Sequence, residues 1–583
     1  MPQTAQFLSY AAGMNAAAIP PSALRKDELA LIVNGTVRNG FLATRPGWRW
    51  LPLAFSDANS QLQFESGMFQ GMGFFMSSVG KFFVVCVDGC LYAIDPTSFV
   101  VVKLTPTAVF SKNSRHVWMQ QRNRWFIVQD GESPPVVIDG YTMTQEVTAT
   151  SIPTGTFMAD GWHRLAVVSP DRRRIYFSDH EMDPNSTPIS FTEATDYFAN
   201  SRYFEGPPSL GKIMGITFTP YQDTSTGIGP LVVFFEKGVR AYNVATPRSQ
   251  WTINDISQTI LPRTGSSSFF AYGDRGSEII FRDHDGDIRS LRNAQQLESL
   301  GKAQSTDFTI RGLLADEDAF LRRFSCAETF DNRVLITTHP QRAYLPDNRY
   351  NVVHKGIAVL EGQNLAADKD DVWVFWTGLS ICSMIAGPVR GEDSLLAFCS
   401  DEDGVNRIYS LSRADRDDTV NSAAGPQSKR IEMSFTTGFM DFDSPAAPKK
   451  LVSGGMRLSN MSGTVDINAL WHRQGHKVES WFRHAEKHPE CVQFDGCSIF
   501  EPVKGDNPSF VLPSPPPTSS IFFKASASFT IKGACVVEEM GFEAEESNIA
   551  KTTGVRCTAL ESAPPTASCE VDVFGYSATK SSA

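Results

Sequence analysis

The feature of this sequence that most constrains its fold is a hairpin pattern that recurs along most of the chain. In each copy a short apolar strand meets a tight turn of the Asp or Gly type. A second strand with an aromatic or Ile-Tyr pair follows, as in KFFVVCVDGCLYAID (81–95) and DSLLAFCSDEDGVNRIYSL (393–411). The turns lie near residues 88, 131, 171, 237, 285, 345 and 403. Their spacing of roughly 40 to 65 residues is typical of propeller blades with variable loops.

Hairpins repeated at this spacing bury their apolar faces by stacking around an axis, because a lone hairpin has nothing to pack against. The pattern therefore predicts an all-β protein built on a β-propeller, with six and seven blades both allowed. The alternative is a series of unrelated hairpins in β-sandwiches. Helix signals are scarce, and short helices are expected only at Ser22–Val33 and Asp316–Arg323.

The chain changes character after Arg413. Residues 414–429 are polar and rich in turn-forming residues, which marks a boundary. Beyond them, segments such as IEMSFTTGFMDF and SSIFFKASASFTIKG alternate apolar and polar residues, the period of a strand with one buried face. We therefore expect an N-terminal arm and opening segment (1–50), a β-propeller (51–425), an additional antiparallel β-domain (426–546) and a C-terminal arm or tail (547–583).

Charge and cysteine usage narrow the function classes. The formal net charge of -11 argues against a protein that coats DNA, because phosphate binding needs Lys and Arg. The N-terminus lacks the pattern of a signal peptide, and no apolar stretch approaches the roughly 20 residues that span a bilayer. We expect a soluble protein made in the cytoplasm, without stable membrane insertion. The ten Cys are scattered, so we expect reduced core residues and no disulfide linking the propeller to the second β-domain.

Two clusters contain side chains of the types that bind metals. The loop Asp283–Asp287 places three carboxylates at alternate positions. It lacks the glycine position and the final Glu of an EF-hand, and an Asp-Gly pair is a favoured hairpin turn. The segment 471–497 holds six side chains of zinc-ligand type, His472, His476, His484, His488, Cys491 and Cys497. Their spacing matches no standard zinc motif, and side chains three or four apart do not converge on a strand. We predict a solvated loop that faces a receptor or a neighbouring subunit and assign no metal ligand, with zinc binding by this segment as the alternative.

No catalytic motif is present in the sequence. It contains no Gly-x-Ser-x-Gly, no P-loop and no His-Glu-x-x-His. Acidic pairs such as Asp370-Asp371 lie in polar stretches typical of solvated loops. The basic run Arg172-Arg173-Arg174 is expected in a hairpin turn with a solvated or intersubunit face. The sequence therefore predicts no enzyme activity, no catalytic residue and no cofactor.

Five segments in order carry a family resemblance. They are ALRKDELALIVNGTVRNGFLATRPGW (23–48), RIYFSDHEMDPNSTPISFTEATDYFANS (174–201), GKIMGITFTP with GPLVVFFEKGVRAYNV (211–244), VWVFWTGLSICSMIAG (372–387) and SFTTGFMDFDSPAAPKKL (434–451). The first contains a small-Thr-Arg-Pro-Gly turn, the fourth is a strand with an aromatic-Thr-Gly, and the last has the form of an element that opens a distal domain. In this order they resemble the tail nozzle (tail tube B-like) proteins of short-tailed bacteriophages, the podoviruses.

The resemblance implies a structural virion protein, one subunit of a ring of identical copies, typically six, that forms the DNA ejection channel below the portal and adaptor. It implies contacts with the adaptor or head-to-tail connector, with tail fibres or spikes, and with a needle or plug, while viral DNA passes without specific binding. The protein would assemble in the host bacterial cytoplasm and reside in the virion tail. An acidic lumen is expected from the net charge, with acidic segments such as Asp401-Glu402-Asp403 and 368–371 as candidates.

Two other functions remain open at this point. One is a different phage tail hub or fibre-connector protein. The other is a propeller carbohydrate-binding protein or glycosidase, which should show converging carboxylates or an oxyanion arrangement at the propeller axis.

Overall fold

A computed structural model describes most of the chain, which divides into two compact units: residues 46–429 form one, and residues 1–45 with 430–583 form the other. In the strands between residues 473 and 512, and in those after residue 568, the backbone alone is described. Apart from gaps of one to three residues, the stretches outside the description are 18–22, 140–144, 148–151, 179–202, 221–227, 246–250, 252–256, 292–308, 363–371, 488–491, 496–508, 513–521 and 547–568.

The chain begins with four short strands that belong to the unit containing residues 430–583. They are β1 (Gln3–Phe7), β2 (Leu29–Val33), β3 (Gly35–Arg38) and β4 (Phe41–Thr44). After Arg45 the chain passes into the other unit, and it returns at Arg430. The chain therefore crosses between the units twice.

The unit 46–429 is a β-propeller, whose first four blades are consecutive sheets that are antiparallel apart from one parallel strand pair in blade 1. After β5 (Trp48–Trp50), blade 1 holds β6 (Ala54–Phe55), helix α1 (Ala58–Ser66), β7 (Phe69–Met76), β8 (Lys81–Val87), β9 (Cys90–Ile94) and β10 (Val100–Lys103). Blade 2 holds β11 (Trp118–Arg122), β12 (Trp125–Gln129), β13 (Val136–Asp139) and β14 (Gln145–Val147). Blade 3 holds β15 (Met158–Gly161), β16 (Arg164–Val168), β17 (Arg174–Phe177) and β18 (Tyr203–Glu205). Blade 4 holds β19 (Ile213–Pro220), β20 (Ile228–Phe235), β21 (Val239–Tyr242) and β22 (Ser257–Leu261).

One further sheet and two portions of a larger sheet bring the blades among the described residues to seven. Blade 5 holds β23 (Tyr272–Arg275), β24 (Glu278–Arg282) and β25 (Ile288–Ser290). Blade 6 holds β26 (Ala327–Phe330), β27 (Arg333–Tyr344), β28 (Tyr350–Glu361) and the first half of β29 (Val372–Val389). The second half of β29 opens blade 7, which continues with β30 (Glu392–Ser400) and β31 (Asn406–Leu411). All seven turns identified in the sequence join the second and third strands of a blade, so the predicted repeat is confirmed.

Blade 7 takes its fourth strand from the start of the unit. Strand β5 pairs antiparallel with β31, Trp48 opposite Leu411, and also touches the following strand β32 (Asp418–Ser422). The backbone N–H of Trp48 donates to Asp418 Oδ1 at 2.8 Å, and the Trp48 side chain is buried. The two ends of the propeller sequence are therefore joined within one blade, which closes the ring. Strand β32 pairs in a hairpin with β33 (Gly425–Lys429), the last strand of this unit.

Innermost strands of neighbouring blades approach one another where glycines lack a side chain. A Cβ atom on Gly71 would lie 2.2 Å from the carbonyl oxygen of Val117, and one on Gly161 would lie 2.5 Å from the Phe218 ring. A Cβ on Gly387 in blade 7 would lie 2.7 Å from the ring of Phe74 in blade 1. Because distances below 3.0 Å require something to shift, these glycines allow the inner strands to pack closely around the axis.

The hydrophobic core lies between successive blades. The cluster between blades 7 and 1 is typical: it contains Phe64 of α1, Val85 and Phe398, all buried. A buried polar junction accompanies it, in which the Asn406 side-chain amide donates to the carbonyls of Phe64 and Gly67 at 2.8 and 2.7 Å. Each blade thus buries its faces against its neighbours, which explains why the hairpins need the ring.

The other unit is an antiparallel β-structure built on two long strands. These are β35 (Lys449–Arg473) of 25 residues and β39 (Ala525–Glu546) of 22 residues, which pair along most of their length. Strand β39 also pairs with β1, β4 and β34 (Glu432–Thr437), and β2 pairs with β34. The remaining strands are β36 (His476–Lys487), β37 (Val492–Asp495), β38 (Ser509–Leu512) and the hairpin β40 (Cys569–Val573) with β41 (Tyr576–Lys580).

The helix predictions need correction. Ser22–Val33 is not a helix, because Leu29–Val33 forms β2, whose apolar residues pack in the sheet beside β34. In place of one helix over Asp316–Arg323, there is an α-helical turn at Arg311–Leu314 and a 3-10 turn at Leu321–Phe324. Helix α1, capped by the Asp57 carboxylate on the Ser60 N–H, was not predicted. No helix among the described residues is long and apolar enough to cross a membrane.

Candidate functional site

The innermost strands of the propeller surround a cavity of ≈ 290 Å³ at its axis. Its wall comes from residues at or near the beginnings of β7, β11, β15, β23 and β26, and from the second half of β29. In an up-and-down blade the first strand begins at the same end as the turn between strands two and three. The mouth of the cavity therefore lies on the face that carries the seven turns. Sulfur and aromatic side chains dominate the wall, including Met68, Met119, Trp118, Phe324 and Cys382.

Glu328 on β26 is the one carboxylate among the described residues that line this cavity. Burial raises the pKa of Glu328 to about 7, although hydrogen bonds from the backbone N–H groups of Ala386 and Thr329 oppose the shift. No side-chain cation among the described residues pairs with it. The sequence did not single out this residue, because a lone Glu in a short strand carries no signal until the strand is known to face the axis.

We expect Glu328 to make stability depend on pH. A carboxyl group whose folded pKa lies near 7, above its ordinary 4.5, costs nothing below pH 4.5 and destabilises the fold progressively as the pH rises from 4.5 to 7. Glu328→Gln should therefore melt close to the parent protein at pH 5 and above it at pH 8. Thermal unfolding at both pH values measures this, with the exposed Glu392→Gln as the control. An equal difference at the two pH values would contradict it.

His116 stands at the mouth of the cavity, directly before β11. Burial lowers the pKa of His116 to about 3, with the nearby charges of Arg115, Arg172 and Arg323 acting in the same direction. The imidazole is therefore neutral at ordinary pH. Four aromatic rings lie around it, with centroids 4.8 to 5.5 Å away: those of Phe324, Phe269, Phe270 and Trp118. The sequence analysis missed this residue as well, because its surroundings come from three blades.

The acidic loop at 283–287 is a hairpin turn between β24 and β25. Asp283 Oδ1 accepts backbone N–H groups from Asp285, Gly286 and Asp287 at 2.9 to 3.0 Å, and its other oxygen accepts Arg289 Nε. Asp283, His284 and Asp285 lie close enough to share an ion. However, the Asp283 carboxylate already has its acceptor positions filled by these donors. The turn geometry explains this cluster without a metal.

Much of the histidine-rich segment lies outside the described residues or has only its backbone described. His488, Cys491 and Cys497 lie outside the described residues, and only the backbone is described at His476 and His484. His472, on β35, has its Nε2 within 3.0 Å of the Ser528 hydroxyl. The six cysteines with described side chains are free and buried: Cys86, Cys90, Cys326, Cys382, Cys399 and Cys535.

The acidic residues considered for the lumen have local partners where they are described. Asp401 accepts Arg407 Nη1 at 2.6 Å, and Asp403 accepts Arg407 Nη2 at 2.7 Å, within the turn of blade 7. Glu402 lies 3.5 Å from Lys355 Nζ. Residues 368–371 lie outside the described part of the chain.

Comparisons with known proteins add little to this picture. No family model and no curated protein matches the chain. Among solved structures, a chain in the crystal structure of the mitotic checkpoint complex is 10% identical with a TM-score of 0.33, over 60% of this chain and 91% of that one. The extracellular domain of a hybrid two component system from B. thetaiotaomicron is 11% identical with a TM-score of 0.33, over 68% of this chain and 46% of that one. Similarities this weak carry no argument about function.

Proposed function

We propose that this chain is a structural virion protein, a subunit of the ring-shaped tail nozzle through which a short-tailed phage ejects its DNA. The observation that carries the proposal is where the family-like segments fall in the fold. The turn at 43–47 lies where the chain passes from one unit into the propeller, between Arg45 and Pro46. Segment 372–387 is the strand shared by blades 6 and 7. Segment 434–451 follows the return into the other unit at Arg430.

The axial cavity favours a structural role over a glycosidase. Hydrolysis of a glycosidic bond generally uses two carboxyl groups that flank it, about 5 to 9 Å apart. Glu328 is alone among the described lining residues in carrying a carboxylate, and neutral His116 sits among aromatic rings rather than beside a nucleophile. These residues provide the wall of a cavity but not an acid–base pair.

In this proposal identical subunits, typically six, form a closed ring through heterologous contacts, in which one surface of each copy meets a different surface of the next. The adaptor binds one side of the ring, and tail fibres or spikes and a needle or plug bind elsewhere. DNA passes without specific binding, and acidic lumen side chains keep phosphates from adhering. Assembly takes place in the host cytoplasm.

The ring is the test of the proposal. We expect mass photometry of the 64.2 kDa chain, mixed with the adaptor of the same virus, to show one discrete assembly of several copies. Negative-stain microscopy should show a ring with a central hole. Each protein alone serves as the control and shows whether the ring needs the adaptor in order to form. A ring that forms only in the mixture also supports the proposal. A monomer at high concentration that does not bind the adaptor would overturn it.

The runner-up is a tail hub or fibre connector. Such a protein would bind fibres but would not form a closed ring between adaptor and tail tip, so the same images distinguish the two.

A further inference from the structure

Three arginines from three different blades lie near His116, which lines the axial cavity. Arg115 precedes β11 in blade 2, Arg172 lies in the turn between β16 and β17 in blade 3, and Arg323 lies in the 3-10 turn before β26 in blade 6. All three charges act on the imidazole of His116. The fold thus gathers positive charge at one point of a protein whose net charge is -11.

These guanidinium groups lie against rings rather than carboxylates. The Arg115 guanidinium carbon is 3.7 Å from the centre of the Tyr350 ring, that of Arg172 is 5.3 Å from the Phe269 ring, and that of Arg323 is 4.6 Å from the Phe320 ring. None of the three arginines forms an ion pair with a described residue. Their polar contacts are weak ones, from Arg115 to a carbonyl at 3.5 Å and from Arg172 to the Met214 sulfur at 3.6 Å.

Several polar groups at the same place lack a hydrogen-bond partner among the described residues. The Nε–H of Arg323 and the indole N–H of Trp118 are buried without a hydrogen-bond partner in the described part of the chain, and so is Nε2 of His116. Buried polar groups are normally paired, and each unpaired one costs free energy. The carboxylate of Glu236 acts on the charge of Arg172, but its Oε2 accepts the backbone N–H of Lys212. Donors and positive charge are therefore present here in excess of acceptors.

Contacts between aromatic rings connect His116 with the surroundings of Arg172 and Arg323. His116 stacks on Phe324, next in sequence to Arg323, with centroids 4.8 Å apart. It also meets Phe269, the ring below Arg172, edge-on at 5.1 Å. Trp118 and Phe324 continue from this cluster into the wall of the ≈ 290 Å³ cavity. Arg115 and His116 line the cavity themselves, whereas Arg172 and Arg323 adjoin it through the rings of Phe269 and Phe324, which contact His116.

We propose that this mouth binds the oxyanion of a small organic phosphate or carboxylate, whose apolar body enters the axial cavity. The oxyanion would accept hydrogen bonds from Arg115, Arg172 and Arg323, which are donors suited to planar or tetrahedral oxyanions. Neutral His116 and the Trp118 N–H would complete its contacts. The aromatic wall selects a ligand with an apolar or aromatic body over a bare ion.

The test uses the full chain and four probes in titration calorimetry: phenyl phosphate, benzoate, inorganic phosphate and phenol. We expect phenyl phosphate or benzoate to bind at least about tenfold more tightly than inorganic phosphate or phenol, because the site takes both an anion and a ring. Tighter binding of phenyl phosphate would identify phosphate as the ligand chemistry, and tighter binding of benzoate would identify carboxylate. No detectable heat with either aromatic anion would overturn the proposal.

Three variants on separate blades test the residues: Arg115→Gln, Arg172→Gln and Arg323→Gln. Each variant should bind the aromatic anion about tenfold or more less tightly, because a charge-assisted hydrogen bond is lost. The affinity for phenol should stay unchanged. The matched control is Arg173→Gln, in the same turn as Arg172 but exposed. If one variant fails to fold, the other two still decide the matter. Unchanged affinity in the folded variants, or an equal loss in the Arg173 control, would overturn the assignment.

Discussion

Replacing Glu361 by Ala should lower the free energy of unfolding by about 3 kcal/mol, because it removes one of the two carboxylates that pair with the buried charge of Arg333. Arg333 Nε donates to Glu361 Oε2 at 2.8 Å, and both side chains are buried. Asp331 also pairs with Arg333, and Arg413 lies 2.7 Å from Asp331, so part of the network survives the substitution. Urea denaturation of the parent and the variant measures the difference.

The control for this prediction is an exposed ion pair. Glu402, whose side chain is 91% exposed, lies 3.5 Å from Lys355 Nζ, and Glu402→Ala should cost less than about 0.5 kcal/mol. The double variant Arg333→Met/Glu361→Leu should recover much of the loss, since both charges of the fully buried pair are gone and Asp331 keeps Arg413 as its partner. If Glu361→Ala costs no more than Glu402→Ala, the buried pair does not contribute as proposed.

Strand β5, which closes the propeller, should be equally sensitive to substitution. Trp48→Ala is expected to destabilise the propeller by about 3 to 5 kcal/mol, the usual effect of removing a large buried aromatic side chain. Trp48 is 1% exposed and lies in β5, opposite Leu411 of blade 7. Denaturant titration measures the loss, and limited proteolysis should show earlier cleavage within the propeller.

Leu62→Ala serves as the comparison, because Leu62 on α1 is 64% exposed. This variant should unfold within about 0.5 kcal/mol of the parent, as most surface substitutions do. A Trp48→Ala protein as stable as Leu62→Ala would mean that β5 is not needed to hold the ring closed.

Local patterns in the sequence predicted the blades well. The pairing of two strands can be predicted where a short Asp-Gly or Gly turn joins them, as at Asp88-Gly89. Such a turn fixes the register of its hairpin. Closure could not be predicted in this way. Strand β5 pairs with a strand more than 300 residues further along the chain. The residues around Trp48 would look the same if this strand belonged to the N-terminal arm instead.

The candidate site was also hard to predict, because its residues come from distant parts of the sequence. Arg172 drew attention as part of a basic run, but the interpretation as a turn with a solvated or intersubunit face did not anticipate its position over Phe269. His116 and Arg323 gave no local signal, because their common surroundings exist only when three blades meet at the axis. The apparent helix at Ser22–Val33 misled because its apolar residues suit a buried strand as well as a helix face.

The pairing of β5 with β31 has a consequence for synthesis. The ribosome makes Trp48 long before Leu411. At about 5 to 20 residues per second, the closing strand waits on the order of half a minute for its partner. During that interval the nascent blades have an open edge on either side, where unpaired backbone groups invite wrong pairing. A chaperone that holds the nascent chain would therefore matter most before residue 411 emerges, and premature termination shortly before it would leave a chain unable to close.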